Sequence, residues 1–432
     1  MNRILVIGAF LVFISGVFGQ GGNNPTQKER AKDVQLNTIT TAVPFMLITP
    51  DSRSGAMGDV GLGLSPDANS IYWNTAKLAF AKPNFEIALS YSPWLRQLTN
   101  DIHLSYLSFY TKIGKRHTIG GSLRYFSLGE ITFTDITGNT IRNFVPNEFA
   151  LQLAYSFKLS DKFALGLNGS FIYSNLTGGI SVVGANTKAG IAGAADVSFI
   201  YYDEEIKLGQ KKATVSAGIT FSNIGNKIKY TETSTADFLP TNMRIGSALK
   251  VYFDDYNSLT TAFDINKLLV PTPPRYGDRY ENGDTTIGII AGKDPDVGVA
   301  KGIFQSFNDA PGQALVDENG ATLYNDDGTE QIKKGSRSLE ELREINIALG
   351  FEYWYKSIFS FRTGFFYEHP SKGARQFLTF GVGLHYKVFG IDFSYLASLT
   401  QNSPLANTIR FTLSFKFNKG QLRKQQDEET PE

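Results

Sequence analysis

From Phe85 onward the chain alternates apolar and polar residues at every second position. In the final run Ile409, Phe411, Leu413, Phe415 and Phe417 are interleaved with Thr408, Arg410, Thr412, Ser414 and Lys416. Side chains of a β-strand point to opposite faces in turn, so all the apolar groups share one face and all the polar groups the other. Phe149, Leu151, Leu153, Tyr155 and Phe157 alternate in the same way with Ala150, Gln152, Ala154, Ser156 and Lys158, and Ile391, Phe393, Tyr395 and Ala397 mainly with Asp392 and Ser394. A soluble β-sandwich also alternates, but its strands are about five or six residues long. The runs here are about ten, the length that crosses a bilayer when tilted.

About fourteen such runs are predicted, the even number expected of a bacterial single-chain barrel. They fall near 85–91, 102–112, 118–128, 147–158, 162–174, 187–202, 213–224, 242–253, 257–268, 344–355, 358–367, 374–386, 389–398 and 406–417. The gaps sort by parity. Gly129–Pro146, Ser174–Asn186, Gly225–Thr241 and Leu269–Arg343 are long, whereas Gly114–His117, Ser160–Asp161, Asp254–Tyr256, Lys356–Ser357 and Lys387–Phe389 are tight. Membrane barrels have short periplasmic turns and long outer loops, so both ends of the chain, including a polar tail over residues 419–432, are expected in the periplasm. The fold class is therefore all-β, a transmembrane antiparallel barrel over residues 84–418. Asp203, Glu204 and Glu205, the densest acidic run, read as a solvated periplasmic turn.

The start of the chain supplies an address. Arg3 is followed by the apolar stretch Ile4–Phe18, too short for a comfortable span, with Val17 and Gly19 before Gln20. This predicts a cleaved signal peptide over residues 1–19. No later segment reaches about 18 uninterrupted apolar residues, so a membrane-embedded chain has to cross with strands. The 33 Phe and 20 Tyr agree, because lipid-facing barrels carry aromatic girdles at both interfaces. The sequence has no cysteine, which removes disulfides, thiol catalysis and a lipoprotein anchor. With 42 Lys and Arg against 41 Asp and Glu, no global field draws the chain to nucleic acid.

Two segments lie outside the strand array. Residues 20–83 are too long for a linker and contain apolar clusters such as Val43–Ile48, which points to a hatch folded into the lumen. The loop of residues 269–343 is punctuated by Asn319-Gly320 and Asp327-Gly328, which predicts a small projecting hairpin. Its carboxylates Asp294, Asp296, Asp317, Asp326 and Asp327 lack the spacing of a calcium loop. No nucleophile elbow, phosphate-cradling loop or zinc-protease motif occurs, and His103, His117, His369 and His385 are scattered. No catalytic residue, cofactor or metal is expected, and the chain is not expected to be an enzyme.

One segment carries a resemblance. Asn37–Phe80, NTITTAVPFMLITPDSRSGAMGDVGLGLSPDANSIYWNTAKLAF, is similar to the hatch signature of the PorV (LptO) family, outer-membrane components of the type IX secretion system. The likeness lies in Val43-Pro44-Phe45, in the run Pro50 to Asp59, and in Asp67-Ala68-Asn69 to Asn74. It marks Pro50, Asp51, Arg53, Gly55, Met57, Gly58, Asp59 and Asn74 as the hatch motif. Gly55, Gly58, Gly61 and Gly63 suit close backbone packing, and Arg53, Asp51 and Asp59 suit pairing with polar groups of the lumen. The wider FadL-like superfamily, fourteen-stranded barrels with an N-terminal hatch, shares a looser pattern ending in Asn-Pro-Ala. Here Asn74-Thr75-Ala76 lacks the proline, which bears on a FadL-type gate but not on the barrel. The resemblance implies an adaptor that performs no chemistry. It would bind the C-terminal signal domain of secreted proteins at the translocon barrel (SprA, also called Sov). It would then deliver them to the sortase PorU and its partners PorQ and PorZ, which attach cargo to lipopolysaccharide. The competing reading is an outer-membrane transporter of hydrophobic small molecules, for which a continuous apolar conduit past the hatch is the requirement. A third is a purely structural barrel.

Overall fold

The computed structural model describes residues 36–418 except 97, 98, 100, 136, 180–185, 233, 282, 283 and 402. The expected signal peptide, the first part of the expected hatch (residues 20–35) and the expected tail (residues 419–432) lie outside the described residues. Among the described residues eighteen strands follow in chain order: β1 Phe85–Pro93, β2 Ile102–Ile113, β3 His117–Leu128, β4 Ile131–Thr134, β5 Thr140–Phe144, β6 Asn147–Lys158, β7 Phe163–Asn175, β8 Gly190–Leu208 and β9 Lys211–Gly225. They continue as β10 Asn242–Tyr252, β11 Asn257–Leu268, β12 Arg275–Glu281, β13 Asp284–Ala291, β14 Ile345–Tyr355, β15 Phe359–Tyr367, β16 Gln376–Tyr386, β17 Phe389–Ser398 and β18 Thr408–Phe417. Fourteen of them close a barrel, and β4–β5 and β12–β13 form separate hairpins. Every barrel neighbour is antiparallel, and the last strand returns to the first from Phe85↔Phe417 to Tyr91↔Phe411. Closure pairs both edges of every barrel strand, which the lipid interior demands.

The alternation read from the sequence is the alternation of the wall. Phe411 and Phe415 face outward, 44% and 39% exposed, while Arg410, Thr412 and Ser414 between them are buried on the inner side. Inward positions also carry many small residues, among them Ala88, Ala150, Ala154, Ala248, Ala262 and Ala348, all buried. They leave room for a filling, and the N-terminal segment supplies it. Phe45 stacks on Phe126 with centroids 6.2 Å apart. Met57, Val60 and Leu64 pack on Ala248, Ala262, Ala348 and Phe366, and Ile71 and Leu78 on Ala88, Tyr110 and Ala154. The filling is held in short helical turns at Pro44–Leu47, Ser52–Gly55, Ser70–Trp73 and Thr75–Phe80. Asp51 caps the second by accepting from the Ser54 N–H, and Asn74 caps the fourth by accepting from the Ala76 N–H at 3.0 Å.

One expectation is corrected and two are made more specific. β8 does not stop near residue 202 but continues to Leu208, so Asp203, Glu204 and Glu205 are strand residues and the turn lies at Gly209-Gln210. The register shifts between Asp203 and Ile206, a bulge that hid the continuation by breaking the alternation. The segment Gly129–Pro146, expected only as a long gap, contains the β4–β5 hairpin. The hairpin of the longest loop, β12–β13, precedes Asn319-Gly320 and Asp327-Gly328; these two turns instead close short bridged pieces, Val316↔Thr322 and Tyr324↔Glu330. That loop also carries two helices, Val299–Gln305 and Ser336–Arg343, packed down on the rim.

Candidate functional site

The chemistry of the molecule is concentrated where the N-terminal segment meets the inner wall. Arg53 is the hub. Its Nε and Nη2 donate to the two carboxylate oxygens of Glu352 on β14, both at 2.9 Å, and its Nη1 donates to Asp67 Oδ2 at 2.9 Å. The Ser65 carbonyl and hydroxyl take the remaining donors at 2.9 and 2.8 Å. The same Glu352 accepts from Arg362 Nε on β15 at 2.9 Å, and Arg362 Nη1 reaches Asp392 on β17. Asp392 in turn lies 3.0 Å from His385 Nε2 on β16. A ladder of alternating charge thus runs from the filling across four strands toward the rim of short turns. Buried charges are tolerated only when paired with good geometry, and the fork-to-carboxylate bond is the strongest such geometry.

Elsewhere the filling is held by its backbone. The Ser52 N–H donates to Thr412 Oγ1 at 2.9 Å and the Gly58 N–H to Thr379 Oγ1 at 2.7 Å. The N–H groups of Gly61 and Leu62 share Asp264 Oδ2 at 2.9 and 3.0 Å. Arg124 donates to the carbonyls of Phe45 and Met46 and lies 4.5 Å from the Tyr72 ring centroid. Gly58 is in the left-handed region at φ 72°, and a Cβ there would stand 2.5 Å from the Phe365 backbone nitrogen. A side chain is therefore excluded twice, by conformation and by the wall.

The motif residues all meet in this filling. Pro50, Asp51, Arg53, Gly55, Met57, Gly58 and Asn74 are buried, and Asp59 is half-buried. Met57 seats against Gly350 and Gly364 of the wall. One of the expected pairings comes out differently. Asp51 bonds inside the filling, to the Ser54 N–H and to Trp73 Nε1 at 2.7 Å, and not to the wall. Asp59 faces Arg410 of the wall, at 4.0 Å, its one ion pair among the described residues. Asn74 donates to the Phe199 carbonyl of β8 at 3.1 Å. The wall partners Glu352, Arg362, Asp392, Arg410 and Asp264 were not singled out from sequence. Their signal is legible in retrospect, as charges set at inward positions among small and hydroxyl residues of the strands.

The histidines do not converge. His103 and His369 belong to the rim of long loops, His117 and His385 to the rim of short turns. Ser414 lines the same cavity as His385 and Asp392, yet among the described residues its hydroxyl makes no hydrogen bond and is not joined to the imidazole as an activated nucleophile would be. That cavity, about 320 Å³, opens at the turn rim and is lined by charges of both signs, including Lys82, Glu86, Glu204, Lys250 and Lys416. It is not an apolar conduit.

At the loop rim the longest loop is clamped by ion pairs. Glu344 pairs with Lys267 at 2.6 Å and Lys372 at 3.0 Å, Glu341 with Lys267 at 3.1 Å, and Glu340 with Lys372 at 2.8 Å. Burial would raise the Glu340 carboxyl, but the bond to Lys372 and its charge, with donors from Asn37 and Gly312, hold it below the usual range. Burial pushes Asp309 up to about 6, against the Thr272 N–H that favours its charged form. Among the loop carboxylates weighed for calcium, Asp317 accepts from the N–H groups of Asn319 and Ala321, and Asp327 from that of Thr329, as turn-capping groups do.

The sequence model of the family described as "Type IX secretion system protein PorV" matches residues 30–275. No curated protein matches the chain. Among solved structures, the toluene transporter TodX of Pseudomonas putida is 12% identical with a TM-score of 0.46, covering 85% of this chain and 98% of its own. The toluene transporter TbuX of Ralstonia pickettii is 12% identical with a TM-score of 0.44 over the same shares. A FadL homologue of Pseudomonas aeruginosa is 11% identical with a TM-score of 0.39, covering 89% of this chain and all of its own.

Proposed function

We propose, from the premise that this chain belongs to the PorV family of type IX secretion system proteins, that it is the adaptor barrel of that system in the outer membrane. In this reading the loop rim is extracellular and receives secreted proteins through their C-terminal signal domain. The partners are the SprA/Sov translocon on the supplying side, and PorU with PorQ and PorZ on the receiving side, where cargo joins lipopolysaccharide. Residues 20–83 act as the hatch, with 1–19 a signal peptide and 419–432 a periplasmic tail. The protein carries no catalysis of its own.

The observation that carries the reading is the filled bore. The charge ladder from Asp67 through Arg53, Glu352 and Arg362 to Asp392 joins the filling to one side of the inner wall, where a conduit for hydrophobic compounds would need apolar walls. The working surface is then the rim, where the long loops offer a protein-sized area. Deleting residues 293–335 tests this. The deletion removes Asp309 and Glu330, partners of Thr272 and Arg275, but no barrel strand. The barrel is expected to remain heat-modifiable in the outer membrane while capture of signal-domain proteins falls. Normal capture with lost uptake of a hydrophobic tracer would favour the transporter; normal values for both would remove this loop from the docking surface.

A further inference from the structure

The helix Ser336–Arg343 lies on the loop rim with its polarity reversed. Its carboxylates point into the protein: Glu340 to Lys372 and Asn37, Glu341 to Lys267 and the N–H groups of Asp309 and Ala310, and Glu344, just past its end, to Lys267 and Lys372. On the outer side Leu339 and Leu342, three residues apart and so on one face, remain 49% and 64% exposed. A helix whose outer face met water would carry the opposite arrangement. Phe307 is also exposed nearby. Phe307 and Leu342, with the outward wall residues Met243, Ile265 and Ile345, line a groove of about 650 Å³.

The strand register sets the height of this groove. Met243, Lys267 and Ile345 form one row across β10, β11 and β14, and the next outward row is Ile245, Ile265 and Ile347. At the other end of β14 stand Tyr353 and Tyr355, exposed aromatics at the rim of short turns. The ten-residue step from Ile345 to Tyr355, at about 3.3 Å per residue and a tilt of about 40°, spans roughly 25 Å along the membrane normal, the height of a barrel's apolar band. With Tyr355 in one interfacial girdle, the groove stands at the opposite headgroup level, continuous with the lipid-facing wall below it. Arg337 lines the groove, and Lys333 and Lys334 stand just ahead of its helix in the chain; all three are exposed, and their side chains make no hydrogen bond or ion pair among the described residues. The neighbouring carboxylates are already spent on Lys267 and Lys372.

We infer that this rim is a lipid site, in which the groove under Leu342 takes an acyl chain of a phosphorylated membrane lipid and Lys333, Lys334 and Arg337 hold its phosphate. The helix is thus an interfacial anchor that lies in the leaflet at the loop rim. The inference rests on the barrel's place in the membrane and is independent of cargo binding.

The sequence contains no cysteine, so Leu342→Cys gives one labelling position, with Asn319→Cys in an exposed turn as the reference. Each full-length variant, checked for a heat-modifiable barrel, is spin-labelled in nanodiscs of phosphatidylcholine with or without phosphatidylglycerol; Leu339→Cys replaces Leu342→Cys if the latter does not fold. The label at 342 is expected to collide with oxygen more than with a water-soluble nickel chelate, and that at 319 the reverse. In native mass spectrometry, Lys333→Gln, Lys334→Gln and Arg337→Gln are each expected to lower retained phosphatidylglycerol, by up to about fivefold per cation. A label at 342 as open to the chelate as that at 319 would overturn the site, as would phosphatidylglycerol retention unchanged in the triple variant. Shielding from both reagents in native membranes but not in nanodiscs would assign the face to another protein and overturn the lipid reading.

Discussion

Replacing Arg53 with Met tests whether the buried fork holds the hatch or the barrel. The substitution keeps the length and apolar stem of the side chain but removes five hydrogen bonds, two to Glu352, one to Asp67 and two to Ser65. Breaking a buried ion pair from one side costs about 3–5 kcal/mol, because the remaining charge is left without its partner. Glu352 keeps Arg362 at 2.9 Å, and Asp67 is partly accessible to water, so the lower end of that range applies. At about 1.4 kcal/mol per decade, 3 kcal/mol corresponds to a roughly hundredfold rise in the open population of the hatch. Arg53→Lys retains the charge without the planar fork and is expected to give about tenfold. Amide hydrogen exchange reads this directly, since the N–H groups of Ser52, Gly58, Gly61 and Leu62 are bonded to wall side chains. Faster exchange at these four amides with strand amides unchanged is the expected pattern. A change under about threefold in Arg53→Met would refute the clamp, and loss of the heat-modifiable barrel would move its role from hatch docking to barrel assembly.

Three further outcomes follow from the same geometry. Gly58→Ala should displace the segment around Met57, because its Cβ would meet the Phe365 backbone at 2.5 Å, and the exchange of the Gly61 and Leu62 amides should rise with it. Phe411→Arg should lower barrel yield or stability by about 2–4 kcal/mol if the position is near the midplane, measured by denaturant refolding into vesicles; unchanged yield would invert the face assignment. Glu340, held below its ordinary pKa, contributes stability that is present above the ordinary value of 4.5 and is lost as pH falls through its lowered folded value. Proteolytic cleavage of the 269–343 loop should therefore accelerate on acidification past that point in the wild type and much less in Glu340→Gln.

The number of barrel strands, the two faces of each and the presence of an internal filling could be read from the residues alone. The reason is that the bilayer imposes its demand on each strand separately: apolar groups out, small or polar groups in, at period two over about ten residues. Arg53, Gly58 and Met57 were legible as a compact motif because they are close in sequence. Their partners were not. Glu352 is 299 residues from Arg53 and Asp264 is 203 from Gly61, and only closure of the barrel brings them together. Asp51 carried the same charge signal as Asp67, yet the former turned inward to cap a helix and the latter paired with Arg53. The bulge near Asp203 and the reversed face of Ser336–Arg343 were likewise decided by tertiary contact. A charge run in strand β8 looks locally like a turn, and a helix with two leucines and two glutamates, with a third glutamate just past its end, does not say which side meets the protein until Lys267 and Lys372 claim the carboxylates.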